Sequence, residues 1–372
     1  MEQMIVQPID AADRSKISDI YIPLDIIEGR NEVRGNLKDA YCFCGGPKGK
    51  LLAPTRDSEL LRWVVDIYAK VEDELKKADN FRIEYEGVRF RVHRQRTVTG
   101  DQLALRALPK ETPHLSELNM IRPWRTILMD PALLDGGLVL VAATNGQGKT
   151  TTISSTLRSR LEQYGGLANT IEDPPELPLH GWFGEGRCNQ IPVHTRSGGE
   201  PGSGFAEALI NTRRFFPALT GGGSIQMIGE IRDSATAAET LQAASEGHLV
   251  LTTYHGSSVT HALRRLWSAA SERLGDSNAK ELLGATLRVC IHQRLTLSQE
   301  GEQWERGKLS GEILCVTDGH EQLHSALRDF DAKKIREITR QQTRSMMQLN
   351  EKTAEDSRVE MGSIRQALNP AG

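Results

Sequence analysis

The chain has 372 residues, 38% of them apolar and 26% charged, and a formal net charge of −3 at pH 7. That length exceeds what one compact core usually takes, so two domains are expected, with the composition of a soluble globular protein. The apolar runs fall far short of the roughly 20 residues that cross a bilayer, and a sequence pI near 6.4 argues against a broad nucleic-acid-binding face.

The N-terminus lacks the basic stretch and apolar core of a signal peptide, which gives a cytoplasmic expectation. The five cysteines are scattered. Only Cys42 and Cys44 lie close, and no second pair completes a four-ligand zinc spacing.

Residues 19–27 are extended and apolar. Residues 58–77 place Leu60, Leu61, Trp63, Val64, Ile67, Tyr68 and Val71 at helical spacing. Residues 81–85 and 88–92 alternate cleanly around Glu86-Gly87 and predict a hairpin, with a third strand over 102–108. Pro109 and Pro113 break this texture, and a short helix from Ser116 follows. The reading is an α+β domain over residues 1–112, a linker over 113–125 and a second domain over 126–372. In the second domain strands (138–143, 168–171, 224–228, 249–253) alternate with helices (149–164, 234–245), the pattern of a parallel α/β sheet. Residues 331–357 read as a polar helix with a solvated face.

Residues 138–151 read L-V-L-V-A-A-T-N-G-Q-G-K-T-T: a buried strand, a Gly-containing loop and the start of a helix. Gly146 and Gly148 let backbone N–H groups turn inward around phosphate oxygens, and the helix N-terminus adds partial positive charge. Lys149 can reach β- and γ-phosphates, and the Thr150 hydroxyl can ligate Mg²⁺. The expected ligand is ATP with Mg²⁺, held by Asn145, Gly146, Gln147, Gly148, Lys149, Thr150 and Thr151. Ala143 stands where the usual pattern has its first Gly.

Hydrolysis of a nucleoside triphosphate needs oxygen ligands for the metal and a group that orients water. Residues 170–176 (T-I-E-D-P-P-E) and 229–233 (G-E-I-R-D) put acids at the carboxyl ends of apolar strands, where ligand chemistry gathers in such sheets. Glu230 is assigned to water activation, Glu172 to a second catalytic carboxylate, and Asp173 to the metal shell. Taken alone, each acidic strand end is as often a helix cap. His248 and His255 flank the strand that follows and are candidates for sensing the γ-phosphate, His255 as part of the catalytic set. A zinc site is disfavoured because no third ligand is near in sequence.

Together these segments resemble the secretion traffic ATPases of type II and type IV secretion and type IV pili. The order is theirs: phosphate loop, acidic box (170–176), a Walker B segment with Gly229 where other phosphate-loop proteins carry Asp, and a His box (247–255). Residues 287–295, ending in Q-R-L, and the R-F-R-V of 89–92 through L-R-A-L-P of 105–109 also match. The resemblance implies a RecA-like α/β P-loop ATPase domain preceded by a smaller α+β, PAS-like domain. It also implies a homohexamer serving inner-membrane components of a secretion or pilus machine, peripheral to the membrane; the acid pI and the lack of a basic, aromatic-bearing patch count against direct nucleic-acid binding. Arg91 and Arg106 fall on arginines that in the family reach the nucleotide's phosphates; the alternative is that they lie on an outer sheet face and pair with water. The absence of C-x-x-C pairs places the chain nearer the PilT-like and DotB/TraJ-like branches. The family's retraction motif A-I-R-N-L-I-R-E has only loose echoes here, Ala326 to Asp329 and Ile335 to Glu337, which favours conjugative transfer or type IV secretion over pilus retraction.

Overall fold

Alternation of apolar and polar residues builds an antiparallel sheet from the first part of the chain. The computed structural model describes residues 17–27, 32–44, 50–76, 79–193, 203–216, 223–296, 299–300, 303–304, 307–317, 320–353 and 359–368. Residues 1–16, residue 77 and residues 354–357, which enter the expectations above, lie outside the described residues. The chain divides into two units: residues 1–111 with 176–178, and residues 112–175 with 179–372.

In the first unit, β1 (Ile17–Ile27), β2 (Glu32–Gly35), β3 (Tyr41–Cys44), β4 (Lys50–Leu52), β5 (Asn80–Tyr85), β6 (Val88–Thr97) and β7 (Gly100–Leu108) form one sheet. Its order is β4-β3-β1-β7-β6-β5, with β2 also paired to β1. The β5–β6 turn sits at Glu86 and Gly87, both at positive φ (49° and 71°), as the mirror-image turns of two-residue hairpins require. Helix α1 (Ser58–Leu75) contributes Leu60, Trp63, Val64, Ile67 and Val71 to a core shared with Ile20, Ile22, Phe90, Val92, Leu103 and Leu105. Asp57 starts this helix by accepting hydrogen bonds from the N–H groups of Glu59 and Leu60 at 2.9 and 3.0 Å, a cap worth about 1 kcal/mol. Because alternate residues of β6 and β7 fill this core, the residues between them face outward.

The second unit contains β8 (Gly137–Ala143), β9 (Leu167–Glu172), β10 (Gly181–Phe183), β11 (Gly186–Pro192), β12 (Ser224–Ile228), β13 (Leu249–His255), β14 (Leu287–Thr296), a small β15–β16 hairpin (Gln299–Glu300, Gln303–Trp304) and β17 (Lys308–Cys315). The main sheet runs β10-β11-β9-β12-β13-β8-β14-β17. The six strands from β11 to β14 are parallel, and β10 and β17 are antiparallel edges. All seven residues of β8 are buried, as a central parallel strand covered on both faces demands.

Helices α2 (Arg122–Leu128), α3 (Lys149–Tyr164) and α10 (Met361–Leu368) share one apolar cluster with this sheet. Helices α4 (Ser203–Arg213), α5 (Ser234–Ser245), α6 (Val259–Leu274), α7 (Asp276–Thr286), α8 (Glu321–Asp329) and the first half of α9 (Ala332–Lys352) share the other. Two expectations change here. Residues 113–125 fall in the second unit, because Leu115, Met120 and Trp124 are buried with Leu157 and Leu161. Helix α9 has a buried face as well as a solvated one: Ile335, Ile338 and Met346 are buried, and the Gln342 amide brackets the backbone of Cys315, accepting from its N–H at 2.8 Å and donating to its C=O at 3.0 Å.

Candidate nucleotide-binding site

Helices α1, α5, α6, α8 and α9 each begin with a side chain that caps their first N–H groups: Asp57, Asp233, Ser258, His320 and Asp331. Helix α3 does not. Its N-cap is Gly148, with no side-chain bond. The N–H groups of its first turn have no intrahelical acceptor, and the helix end carries partial positive charge, so this terminus is suited to an anion. The loop before it takes its shape from Gly146 and Gly148, at φ 71° and 77°, a left-handed region that costs an L-residue about 1–2 kcal/mol. A Cβ at Gly146 would meet nothing within 4 Å, whereas one at Gly148 would stand 3.4 Å from Gln293 Nε2.

Lys149 lies at the mouth of this loop, its Nζ donating to the Thr144 carbonyl at 3.0 Å. Asn145 and Gly146 are exposed, Gln147, Thr150 and Thr151 are half-buried, and Thr152 is fully buried. Ala143 ends β8, is fully buried and pairs with His255 across β13. The residues present fit a nucleoside triphosphate: open helix amides for phosphate oxygens, an ammonium beside them, and a hydroxyl at Thr150 for a divalent cation. Among the described residues no group of three or more His, Cys, Asp or Glu side chains could hold a metal. A magnesium ion held mainly by phosphates and water needs only one or two protein ligands.

The parallel register brings the carboxyl ends of β9, β12 and β13 to the same edge of the sheet as the end of β8. Glu172 closes β9 and is 2% exposed. Its Oε1 accepts from Thr170 Oγ1 at 2.7 Å and from Gln190 Nε2 at 2.8 Å, which holds a buried carboxylate by hydrogen bonds. A Cβ on Gly229 would stand 3.4 Å from Glu172 Cγ. The space that an Asp at position 229 would use is therefore bounded by the Glu172 stem.

Glu230 follows β12. Its Oε1 accepts from Arg232 Nε at 2.6 Å, and its Oε2 lies 3.4 Å from His255 Nε2. Arg232 also donates through Nη1 to Asp173 Oδ2 at 3.1 Å and through Nη2 to the Asp173 carbonyl at 3.4 Å. Glu230, Arg232, Asp173 and His255 thus form one charged cluster at this edge. Asp233 does something else: its carboxylate accepts from the N–H and the hydroxyl of Thr236, both at 2.8 Å, and caps α5.

The structure does not bring His248 to this edge. It precedes β13, at the end remote from the phosphate loop, and its C=O accepts from the Gly137 N–H that starts β8. Seven residue-to-residue steps of extended strand separate it from His255, about 23 Å at roughly 3.3 Å per step. Its Nδ1 lies 2.7 Å from Ser224 Oγ and its ring 4.8 Å from that of Phe216. Burial pushes its pKa below the ordinary value of 6.5. Its place in this chain is structural, and the phosphate-sensing expectation is corrected for the phosphate loop of the same chain.

Arg91 and Arg106 lie in the first unit as direct cross-strand partners on β6 and β7. They occupy the outward face, and each has a carboxylate. Arg91 Nη1 is 3.1 Å from Glu176 Oε1, and Arg106 Nε is 2.8 Å from Asp19 Oδ1. The Asp19 hydrogen bond raises the Arg106 pKa above its ordinary value.

Two residues of the site escaped the sequence reading as individuals. Arg232 stands in G-E-I-R-D as a letter of the motif to which the sequence reading assigns no role. Gln293, on β14, bonds the phosphate loop from 146 residues away, a proximity that no local pattern signals.

The fold and motifs have counterparts among known proteins. The pilus retraction motor PilT with bound ADP is 24% identical, with a TM-score of 0.62, the match covering 96% of this chain and 94% of that one. The Legionella pneumophila ATPase DotB is 22% identical, with a TM-score of 0.60, covering 97% and 94%. These likenesses show the fold: a RecA-like α/β domain preceded by a smaller N-terminal domain. In sequence, the chain is 31% identical over 304 residues to the Pseudomonas aeruginosa type II secretion system protein HxcR, covering 79% of this chain and 59% of that protein. It is 33% identical over 208 residues to the type IV pilus assembly ATPase PilB of Myxococcus xanthus, covering 55% and 32%. A putative type II secretion system protein E of Escherichia coli K12 is 33% identical over 218 residues, covering 58% and 39%. The chain spans less than two thirds of the length of these relatives. Type II secretion proteins stand among them beside pilus proteins, a broader range than the type IV branches the motifs favoured. No helix among the described residues is long and apolar enough to cross a membrane. The family profile of type II/IV secretion system proteins matches residues 76–365, and the chain belongs to that family.

Proposed function

We propose that this chain is an ATP hydrolase that works as a homohexamer at the cytoplasmic face of the inner membrane, peripherally bound, and powers a type IV secretion, conjugative transfer or type IV pilus machine. The observation that carries the reading is the uncapped N-terminus of α3 behind Gly146 and Gly148, on the same sheet edge as Glu172 and Glu230. The α3 amides and Lys149 would bind the phosphates and offset their charge, and the Thr150 hydroxyl would be a ligand for the Mg²⁺ that accompanies them. Glu230 orients the attacking water and takes its proton. Glu172 and Asp173 shape the acidic edge, and His255 orients Glu230. Arg91 and Arg106 belong to this reading as phosphate ligands, each having first to leave its carboxylate.

The test is steady-state ATP turnover of the wild-type chain and of Glu230→Gln. The variant should bind ATP with near-normal affinity and turn over roughly 100-fold more slowly or worse, the usual scale for a lost general base. Equal turnover would remove Glu230 from the mechanism. A second reading, a nucleotide-gated assembly factor with slow or incidental hydrolysis, is favoured by one observation: both carboxylate oxygens of Glu230 already have partners. A wild-type rate that stays slow in the assembled hexamer would select it.

A further inference from the structure

We propose that Gln293 is a positioning residue for the phosphate loop, aiming the Gly148 N–H that an incoming phosphate would use. The proposal rests on the reading of residues 143–150 as a nucleotide site.

Gln293 lies on β14, next to β8 in the sheet, and is 1% exposed. Both ends of its side-chain amide are bonded, one to α3 and the other to the loop. Oε1 accepts from Thr152 Oγ1 at 2.8 Å, and Nε2 donates to the Gln147 carbonyl. The Gln147 carbonyl fixes which end of the amide is which, because it can only accept and so takes the NH₂; that leaves Oε1 for the Thr152 hydroxyl, whose proton rotates to meet it. Gln147 is gripped a second time: its own Oε1 accepts from the Leu295 N–H at 2.8 Å. Two residues of one strand thus hold one loop residue by its backbone and by its side chain.

The consequence follows from peptide geometry. In a planar trans peptide the C=O and the following N–H point in opposite directions. Drawing the Gln147 carbonyl toward β14 therefore turns the Gly148 N–H away from β14. Gly148 is the N-cap of α3 at φ 77°, a residue with broad conformational freedom, so something outside the loop must set that peptide's direction. Gln293 does so before nucleotide arrives, which lowers the ordering cost of binding.

The experiment measures Mg–ADP affinity of the full chain by calorimetry, with thermal melts of the nucleotide-free proteins alongside. In Gln293→Glu the Thr152 bond survives, but an ionised carboxylate sets oxygen against the Gln147 carbonyl. Affinity should fall about tenfold or more at about pH 8 and recover at least about threefold near pH 6, because protonation of a buried carboxyl restores a donor. Gln293→Leu should lose affinity to a similar degree with no such recovery. Thr152→Val, which removes only the hydroxyl that anchors Oε1, should give a smaller loss in the same direction and keeps the test available if Gln293→Leu does not fold. Affinities equal to wild type in Gln293→Glu and Thr152→Val, or a Gln293→Glu loss that is the same at both pH values, would overturn the proposal. Absence of Mg–ADP binding by the wild-type chain would overturn the nucleotide-site reading and this inference with it.

Discussion

Arg232 and Glu230, two residues apart after β12, form an ion pair in which the guanidinium also reaches Asp173 at the end of β9. One side chain thus ties together two acidic segments 59 residues apart in sequence. The pair is partly exposed, Arg232 37% and Glu230 28%, so its contribution to stability is small, under about 1 kcal/mol. Its value lies in orientation, since a base misplaced by about 1 Å can cost about 100-fold in rate. Arg232→Ala is expected to lower ATP turnover by about tenfold or more while leaving ADP affinity within about threefold and the melting temperature nearly unchanged. Unchanged turnover, measured by phosphate release, would reduce the bridge to a surface ion pair.

The other member of the G-E-I-R-D segment with a clear partner acts on the helix alone. Asp233 satisfies the Thr236 N–H and hydroxyl at 2.8 Å each. Asp233→Ala should destabilise the chain by about 1 kcal/mol, read by urea denaturation, and Asp233→Asn by less. ADP affinity at about 25 °C should not change in either; a loss there would place Asp233 nearer the phosphates than its cap position allows.

The two loop glycines should respond differently to alanine. Gly146→Ala meets open space, so its cost is that of the left-handed backbone, about 1–2 kcal/mol. Gly148→Ala bears the same cost and also sets a methyl 3.4 Å from Gln293 Nε2, at the bond to Gln147. It should lose more ADP affinity than Gly146→Ala. Titrating both variants with ADP checks the order, and the reverse order would mean that the Gln293 contact does not govern the loop.

Sequence alone carries much of this site for a physical reason. An all-apolar run, two glycines and a Lys-Thr pair state strand, turn and helix start within 14 residues, and the observed α3 begins and ends at the expected positions, Lys149 and Tyr164. The β5–β6 hairpin was legible for the same reason, since period and turn chemistry are both local. What was not legible is set by distance and direction. The two histidines flanking β13 look equivalent as letters, but in a parallel sheet the two ends of a strand open on opposite edges, so only His255 reaches Glu230. The residues 113–125 looked like a linker because Pro109 and Pro113 break the earlier pattern. Their three buried apolar side chains, Leu115, Met120 and Trp124, lack a period, yet they fill a space beside α3. Gln293 was one letter of Q-R-L until the sheet order placed β14 beside β8.

His248 gives a pH dependence whose sign can be derived. Burial lowers its pKa below 6.5; Glu246 opposes that shift and Arg213 adds to it. The unfolded chain therefore binds more protons than the folded one between the lowered value and 6.5, and stability rises with pH across that window. The stabilisation associated with neutral His248 is full above about pH 6.5 and is lost progressively as the pH falls from 6.5 to the folded pKa, below which both states are protonated and the loss is complete. His292, also lowered by burial, acts in the same direction. Melting temperature should therefore fall on going from about pH 7.5 to about pH 5.5, and His248→Gln, which cannot protonate, should flatten the slope. Both proteins melted across that range in the same salt check it. A slope in His248→Gln as steep as wild type would assign the acid sensitivity to other groups. Because His248 stands at the far end of β13, the same substitution should leave ADP affinity at neutral pH unchanged, whereas His255→Gln, beside Glu230 at 3.4 Å, should lower turnover.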